Sequence, residues 1–186
     1  MQDKIYICGG KSTGYENYQI YNECYAAQAN NQSPSWVQAP SLPFNTTFAA
    51  HAAVEDKLYV FGGYQKPACG YRPEVQVFDA KSQVWFQNST IDPPEPIPSR
   101  GCAAAVGRYI FVIGGWFRFA NTSICKEKIS NDDRVKAQRD ITLYQSRVQV
   151  FDTTRNSWHI GPSLLKRRRD HGCSYVDLNG KHVSVV

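Results

Sequence analysis

The chain has no run of about 18 apolar residues, so it offers no membrane-spanning helix. It has no Cys-x-x-Cys pair, so its six cysteines do not read as zinc ligands. A net charge of +5 comes without helix-turn-helix, zinc-finger or stacking-platform patterns, which argues against nucleic acid as a partner. Histidine is scarce, with only His51, His159, His171 and His182. No metal-ligand or nucleophile–base spacing is visible among them, so no metal, cofactor or catalytic residue is expected.

What the chain does have is a repeat. Lys57-Leu-Tyr-Val-Phe-Gly-Gly63 returns as Arg108-Tyr-Ile-Phe-Val-Ile-Gly-Gly115, and Val75-Gln-Val-Phe-Asp79 returns unchanged as Val148-Gln-Val-Phe-Asp152. In both copies a tryptophan follows the phenylalanine by seven residues. A weaker copy opens the chain: Lys4-Ile-Tyr-Ile-Cys-Gly-Gly10, then Tyr25, then Trp36. The double glycines begin at positions 9, 62 and 114, steps of 53 and 52 residues. A period near 50 points to a radial array of sheets.

Each unit reads as four short strands, in the second unit about 49–55, 58–61, 74–78 and 84–87. The second strand is an apolar run, as in a strand buried on both faces. The third alternates, with Val75 and Val77 on one face and Gln76 and Phe78 on the other. The double glycine falls where the buried strand must end and turn, and glycine tolerates positive φ and close backbone approach there. The Trp supplies a large apolar wedge between adjacent sheets.

This constellation resembles the kelch repeat, the unit of one class of β-propeller. The residues that carry the resemblance are Gly9, Gly10, Tyr25 and Trp36; Gly62, Gly63, Phe78 and Trp85; and Gly114, Gly115, Phe151 and Trp158. It covers nearly the whole chain. Two copies have phenylalanine where the family usually has tyrosine before the spaced Trp. The resemblance implies an all-β, kelch-type β-propeller whose motif residues build blades and carry no chemistry.

A propeller closes with typically about 4 to 8 blades, and 186 residues at about 50 per blade fall short of that. Residues 1–186 therefore read as one incomplete propeller of about three and a half blades, with units near 1–48, 49–100, 101–170 and a half blade at 171–186. Met1 leads directly into a second strand. The expectation is a fragment of a longer propeller; the alternative is a half-propeller that self-associates through its open blade edges. A signal peptide is not visible, nor could a chain starting inside a blade show one.

Two features point weakly toward a secreted protein. Four sequons occur, at Asn31, Asn45, Asn88 and Asn121, where chance gives about one. All fall in expected loops or strand ends. The cysteines are even in number; expected strand positions suggest Cys8 with Cys24 and Cys102 with Cys173, and corresponding loops of neighbouring blades suggest Cys69 with Cys125. The alternative is that they are small, reduced core residues.

In a four-stranded blade, the second-to-third strand loop and the link to the next blade open on one face. Segments 39–48, 63–73, 87–100, 115–147 and 162–171 share it. Gly114 to Trp158 spans 44 residues against 23 from Gly62 to Trp85, so about twenty are inserted within 116–147. The insert is charged, and reads equally as disorder or recognition. At its start, Trp116 and Arg118 are of the types enriched at interface anchors, or they pack on the neighbouring blade. Lys166-Arg-Arg-Arg169 reads as an exposed inter-blade link rather than a localisation signal. Arg100 and Arg169 are expected at matching positions before a first strand. Protein-binding kelch members use this face with arginines among the contacts, which makes Arg100, Trp116, Arg118, Arg168 and Arg169 the expected partner contacts. Glycans at Asn45, Asn88 and Asn121 would crowd it.

The expected function is a non-catalytic module that binds a protein partner of unknown identity. Alternatives are an intracellular adaptor for ubiquitin-ligase substrate recognition or actin binding, and a carbohydrate-binding or sugar-modifying propeller. Kelch-type folds also occur in a copper radical oxidase and a sialic-acid mutarotase, so fold alone does not decide.

Overall fold

The computed structural model describes residues 4–14, 18–30, 33, 35–65, 70–71, 74–87, 91–117, 144–178 and 181–185. Arg118, Asn31, Asn88, Asn121, Cys69, Cys125 and most of the 116–147 insert lie outside these residues.

The protein is all-β, and the described residues contain no α-helix. The first sheet is β1 (Lys4–Cys8), β2 (Cys24–Gln28) and β3 (Val37–Ala39), in that order. The second is β4 (Ala50–Val54), β5 (Lys57–Phe61), β8 (Gln76–Asp79) and β9 (Val84–Gln87). The third is β10 (Cys102–Val106), β11 (Tyr109–Ile113), β12 (Val148–Asp152) and β13 (Ser157–Ile160). β14 (Ser174–Leu178) and β15 (Lys181–Val185) form a two-stranded sheet. A small hairpin, β6 (Tyr64–Gln65) with β7 (Gly70–Tyr71), follows β5 where the sequence predicts a loop.

Each sheet is an antiparallel meander, and the sheets stack so that the middle strands of the second and third sheets are largely buried on both faces, while β2 of the first sheet leaves Tyr25 exposed. Along β5, Leu58 and Val60 turn toward the first sheet, while Tyr59 and Phe61 turn toward the third. Val75 and Val77 also enter the core between sheets two and three, whereas Phe78 meets Tyr6 of the first sheet at 5.3 Å between ring centroids. The alternation read in the sequence is therefore between two interiors, not between inside and outside. A third core, with Ile113, Val148 and Val150, lies on the other side of the third sheet and includes Cys102 and Cys173.

The innermost strands are built from small residues. β4 reads Ala-His-Ala-Ala-Val and β10 reads Cys-Ala-Ala-Ala-Val. β4 lies against β10, and β10 against β14. Short side chains let strands of adjacent sheets converge about a common axis.

The repeat motif explains how sheets attach to one another. Trp85 stacks on Phe78 at 5.1 Å and donates its indole N–H to the Pro40 carbonyl, in the link from the first sheet. Trp158 stacks on Phe151 at 4.9 Å and donates to the Ile91 carbonyl, one link later. Trp36, which immediately precedes β3, is 46% exposed. The double glycines do the reciprocal task. Gly62 sits at φ 59°, and a Cβ there would lie 2.6 Å from the Ile97 carbonyl oxygen of the next link. Gly115 donates its N–H to the Arg168 carbonyl, as Gly10 does to Thr46. The aspartate ending each Val-Gln-Val-Phe-Asp motif caps the following turn: Asp79 accepts the Lys81 and Ser82 N–H groups, and Asp152 those of Thr154 and Arg155.

Candidate functional site

Two backbone positions repeat from sheet to sheet at one end of the innermost strands. The first lies two residues before β4 and β10. Phe48, Arg100 and Asp170 all adopt left-handed φ, at 58°, 60° and 53°. They are chained by hydrogen bonds, with Arg100 N–H donating to the Phe48 carbonyl and Asp170 N–H to the Arg100 carbonyl, both at 2.8 Å. A non-glycine residue in this conformation carries strain, and three in equivalent places show that the link geometry imposes it. The structural equivalent of Arg100 is thus Asp170. The sequence match of Arg100 to Arg169 is off by one, because side-chain likeness suggested it whereas the backbone conformation is what repeats.

The second position follows each double glycine: Lys11, Tyr64 and Trp116. Each makes a bridge beside its loop, to Ile20, Thr47 and Ser99 respectively, and Trp116 also bridges to Tyr144. Together the two positions put five side chains around one cavity of about 240 Å³, lined by Lys11, Tyr18, Phe48, Tyr64, Arg100 and Trp116.

Cations and aromatic rings alternate across this surface. The Lys11 ammonium lies 4.6 Å from the Tyr18 ring and 5.8 Å from that of Phe48. The Arg100 guanidinium covers the Phe48 ring at 3.9 Å and lies 5.7 Å from Trp116. Arg169 follows, 4.7 Å from Trp116 and 4.9 Å from Tyr144. Each contact contributes about 0.5–1 kcal/mol at an exposed site. Their larger effect is positional, holding long cationic side chains flat and pre-ordered. Asp170 meets the row between the two arginines, 2.8 Å from Arg100 and 3.4 Å from Arg169.

Of the expected contacts, Arg100, Trp116 and Arg169 come together here. Arg168 stands apart: its backbone pairs with Gly115 and Gln145, and its guanidinium reaches back to the Lys166 carbonyl. Lys11, Tyr18, Phe48, Tyr144 and Asp170 were not singled out from sequence. The residue after each double glycine was the available signal.

Asn45 does not sit as a sequon in an open loop would. It is half-buried and donates its side-chain amide to the Ile20 carbonyl at 3.3 Å, and Thr47 of the same sequon is buried. Cys8 with Cys24, and Cys102 with Cys173, are placed to form disulfides, with Cα separations of 4.1 and 5.9 Å. His171 packs beneath Gly114. Burial and the nearby Arg168 cation hold its imidazole below its ordinary pKa. A second cavity of about 370 Å³ lies between the first two sheets, lined by Ile7, Leu42, Leu58 and Val60 among others. No group of three or more His, Cys, Asp or Glu side chains among the described residues could hold a metal ion. No helix among them is long and apolar enough to cross a membrane.

A family model described as the KLHDC2/KLHL20/DRC7 Kelch-repeats domain matches residues 1–179. The Rab9 effector protein with kelch motifs of Xenopus laevis is 33% identical over 104 residues, covering 54% of this chain and 27% of that protein. Kelch domain-containing protein 3 of Rattus norvegicus is 25% identical over 187 residues, 97% of this chain and 44% of that protein. The chain thus spans less than half the length of either relative. Among solved structures, that of YjhT superposes with a TM-score of 0.63 at 16% identity, covering 91% of this chain and 55% of that one. At that identity the likeness concerns the fold.

Proposed function

The chain belongs to the kelch-repeat family of β-propeller proteins, and from that premise we propose that it is a non-catalytic module gripping a protein partner through the face that carries Lys11, Arg100, Arg169 and Trp116. The observation that carries this reading is the alternating row of cations and rings around the 240 Å³ cavity. Arginine and tryptophan are the residue types that dominate interface energetics. Here they are held in place before any partner arrives, which lowers the ordering cost of binding. Three cations against one carboxylate suit a partner surface bearing acidic and aromatic side chains. The family supports a protein rather than a small molecule as the ligand.

The test is quantitative capture from cell extract, comparing the wild-type chain with Arg100→Glu and Arg169→Glu. Specific partners should be lost about 10-fold or more with either reversal, and binding should weaken as salt rises. Capture of the same proteins in the same yield by both variants would refute the assignment of this face.

A further inference from the structure

The segment that completes this face is joined to the neighbouring sheet by a disulfide. Asp170, Arg169 and the two-stranded sheet β14–β15 follow one another in the chain, and Cys173 lies between them. Its partner, Cys102, stands two residues after Arg100, in the neighbouring four-stranded sheet. Three cross-links therefore join the same two stretches: the Cys102–Cys173 disulfide, the Asp170 N–H to Arg100 carbonyl hydrogen bond, and the Arg100–Asp170 ion pair. The last two are weak. The Asp170 side chain is 47% exposed, so water screens the pair. A two-stranded sheet is marginally stable alone. Both cysteines are partly exposed, within reach of a small thiol reagent.

From this arrangement we infer that Cys102–Cys173 is a redox latch: a thiol-modification site whose reduction loosens β14–β15 and releases Arg100 from Asp170. The co-reactant is a dithiol. It delivers two electrons and two protons, the S–S bond breaks, Cys102 and Cys173 become thiols, and the dithiol closes to its own disulfide. The disulfide ties the residue just before β14 to the first residue of β10, so opening it removes the covalent tether between these two neighbouring strands. The consequence for partner binding rests on the reading of this face given above; the latch itself does not, and is measured without a partner.

The experiment takes the full chain, oxidised and after treatment with dithiothreitol, with mass spectrometry assigning the state of each cysteine. Hydrogen exchange is followed in peptides covering Ser174–Leu178, Lys181–Val185 and, as reference, Lys57–Phe61. Labelling of Arg100 by a dicarbonyl reagent is followed alongside. Reduction should speed exchange in β14 and β15 about 10-fold or more while β5 stays protected, and Arg100 should label severalfold faster. Cys102→Ser/Cys173→Ser should show the fast behaviour without reductant and no response to it. Cys8→Ser/Cys24→Ser should keep the response. Thiols at Cys102 and Cys173 in protein purified without reductant would overturn the inference. So would unchanged exchange in β14–β15 once the pair is reduced, or faster exchange with Arg100 labelling unaltered.

Discussion

Gln76 and Gln149 occupy the same place in successive sheets, with the same neighbours in sequence and nearly the same burial, at 4% and 3% exposed. Their hydrogen bonding differs. The Gln76 side-chain carbonyl accepts the Phe44 backbone N–H at 2.9 Å, across the interface to the preceding link. That of Gln149 has no partner among the described residues. Counting back from the equivalent pair Phe48 and Arg100, the residue matching Phe44 is Pro96, which has no N–H to give. The same link withholds a second donor. Leu42 and Leu164 donate to the Asn22 and Ser146 carbonyls, whereas the matching residue in the middle link is Pro94. Replacing Gln76 by Leu strands a part-buried N–H and should cost about 1–3 kcal/mol. Replacing Gln149 by Leu removes an unsatisfied acceptor and should be neutral or stabilise by about 1 kcal/mol. The two variants should therefore differ by about 1–4 kcal/mol, which at a urea slope of about 2 kcal/mol per M separates their midpoints by about 0.5–2 M. Unfolding followed by tryptophan fluorescence measures this. Equal destabilisation by both would refute the argument, as would a larger loss from Gln149→Leu. A cycle with Pro96→Ala sharpens it, because a restored N–H should make Gln149 favourable by about 1 kcal/mol of coupling.

Gly62→Ala should cost about 3 kcal/mol or more, since φ is 59° and the new Cβ would meet the Ile97 carbonyl, while Gly10→Ala, with nothing within 4 Å, should cost only the backbone strain of about 1–2 kcal/mol. Equal losses in denaturation would show that blade-to-blade approach is not what the first glycine serves. Trp158→Phe keeps a ring on Phe151 but orphans the Ile91 carbonyl, so thermal unfolding should report a loss of about 1–2 kcal/mol. For His171 the sign follows from its lowered pKa. Between that value and about 6.5 the unfolded chain binds more protons than the folded one, so stability rises with pH across the window and is lost as pH falls through it. Subtracting the pH–stability curve of His171→Gln from that of wild type should isolate this slope; a flat difference between pH 5 and 7 would contradict it.

The architecture was legible because the signals that build it recur: strands expected at 58–61 and 84–87 appear as Lys57–Phe61 and Val84–Gln87. The double glycines and spaced tryptophans marked how neighbouring sheets touch. The site was only half legible. Arg100, Trp116 and Arg169 stood out as interface types, and Lys11 carried only the signal of following a double glycine, but Phe48 and Tyr18 joined them only because three sheets converge, a fact no local pattern carries. The mismatch of Arg100 with Arg169 has the same origin. Phe, Arg and Asp share no side-chain chemistry, and what they have in common is a left-handed φ and one inter-sheet hydrogen bond. Asn45 shows the converse: a sequon defines residue types, whereas the hydrogen bond to Ile20 depends on a turn in the neighbouring loop.

That division explains how one scaffold holds a specific surface. At the positions of Phe48, Arg100 and Asp170, the hydrogen bonds that repeat from link to link use only backbone atoms, so the link geometry is indifferent to which side chain it carries. At Lys11, Tyr64 and Trp116 the preceding glycines absorb the tight approach, and the next residue is again unconstrained by the core. Both sets lie at the ends of strands whose other residues are fixed by two interiors at once. Sequence can therefore vary at the rim without disturbing the Trp, Gly-Gly and Ala positions that set the distance between sheets. In this chain the rim holds ring, cation and carboxylate in a row, so that Phe48 supports Arg100 from below and Asp170 fixes it from the side. Stability resides in what repeats, and recognition in the two positions where the backbone repeats and the side chains do not.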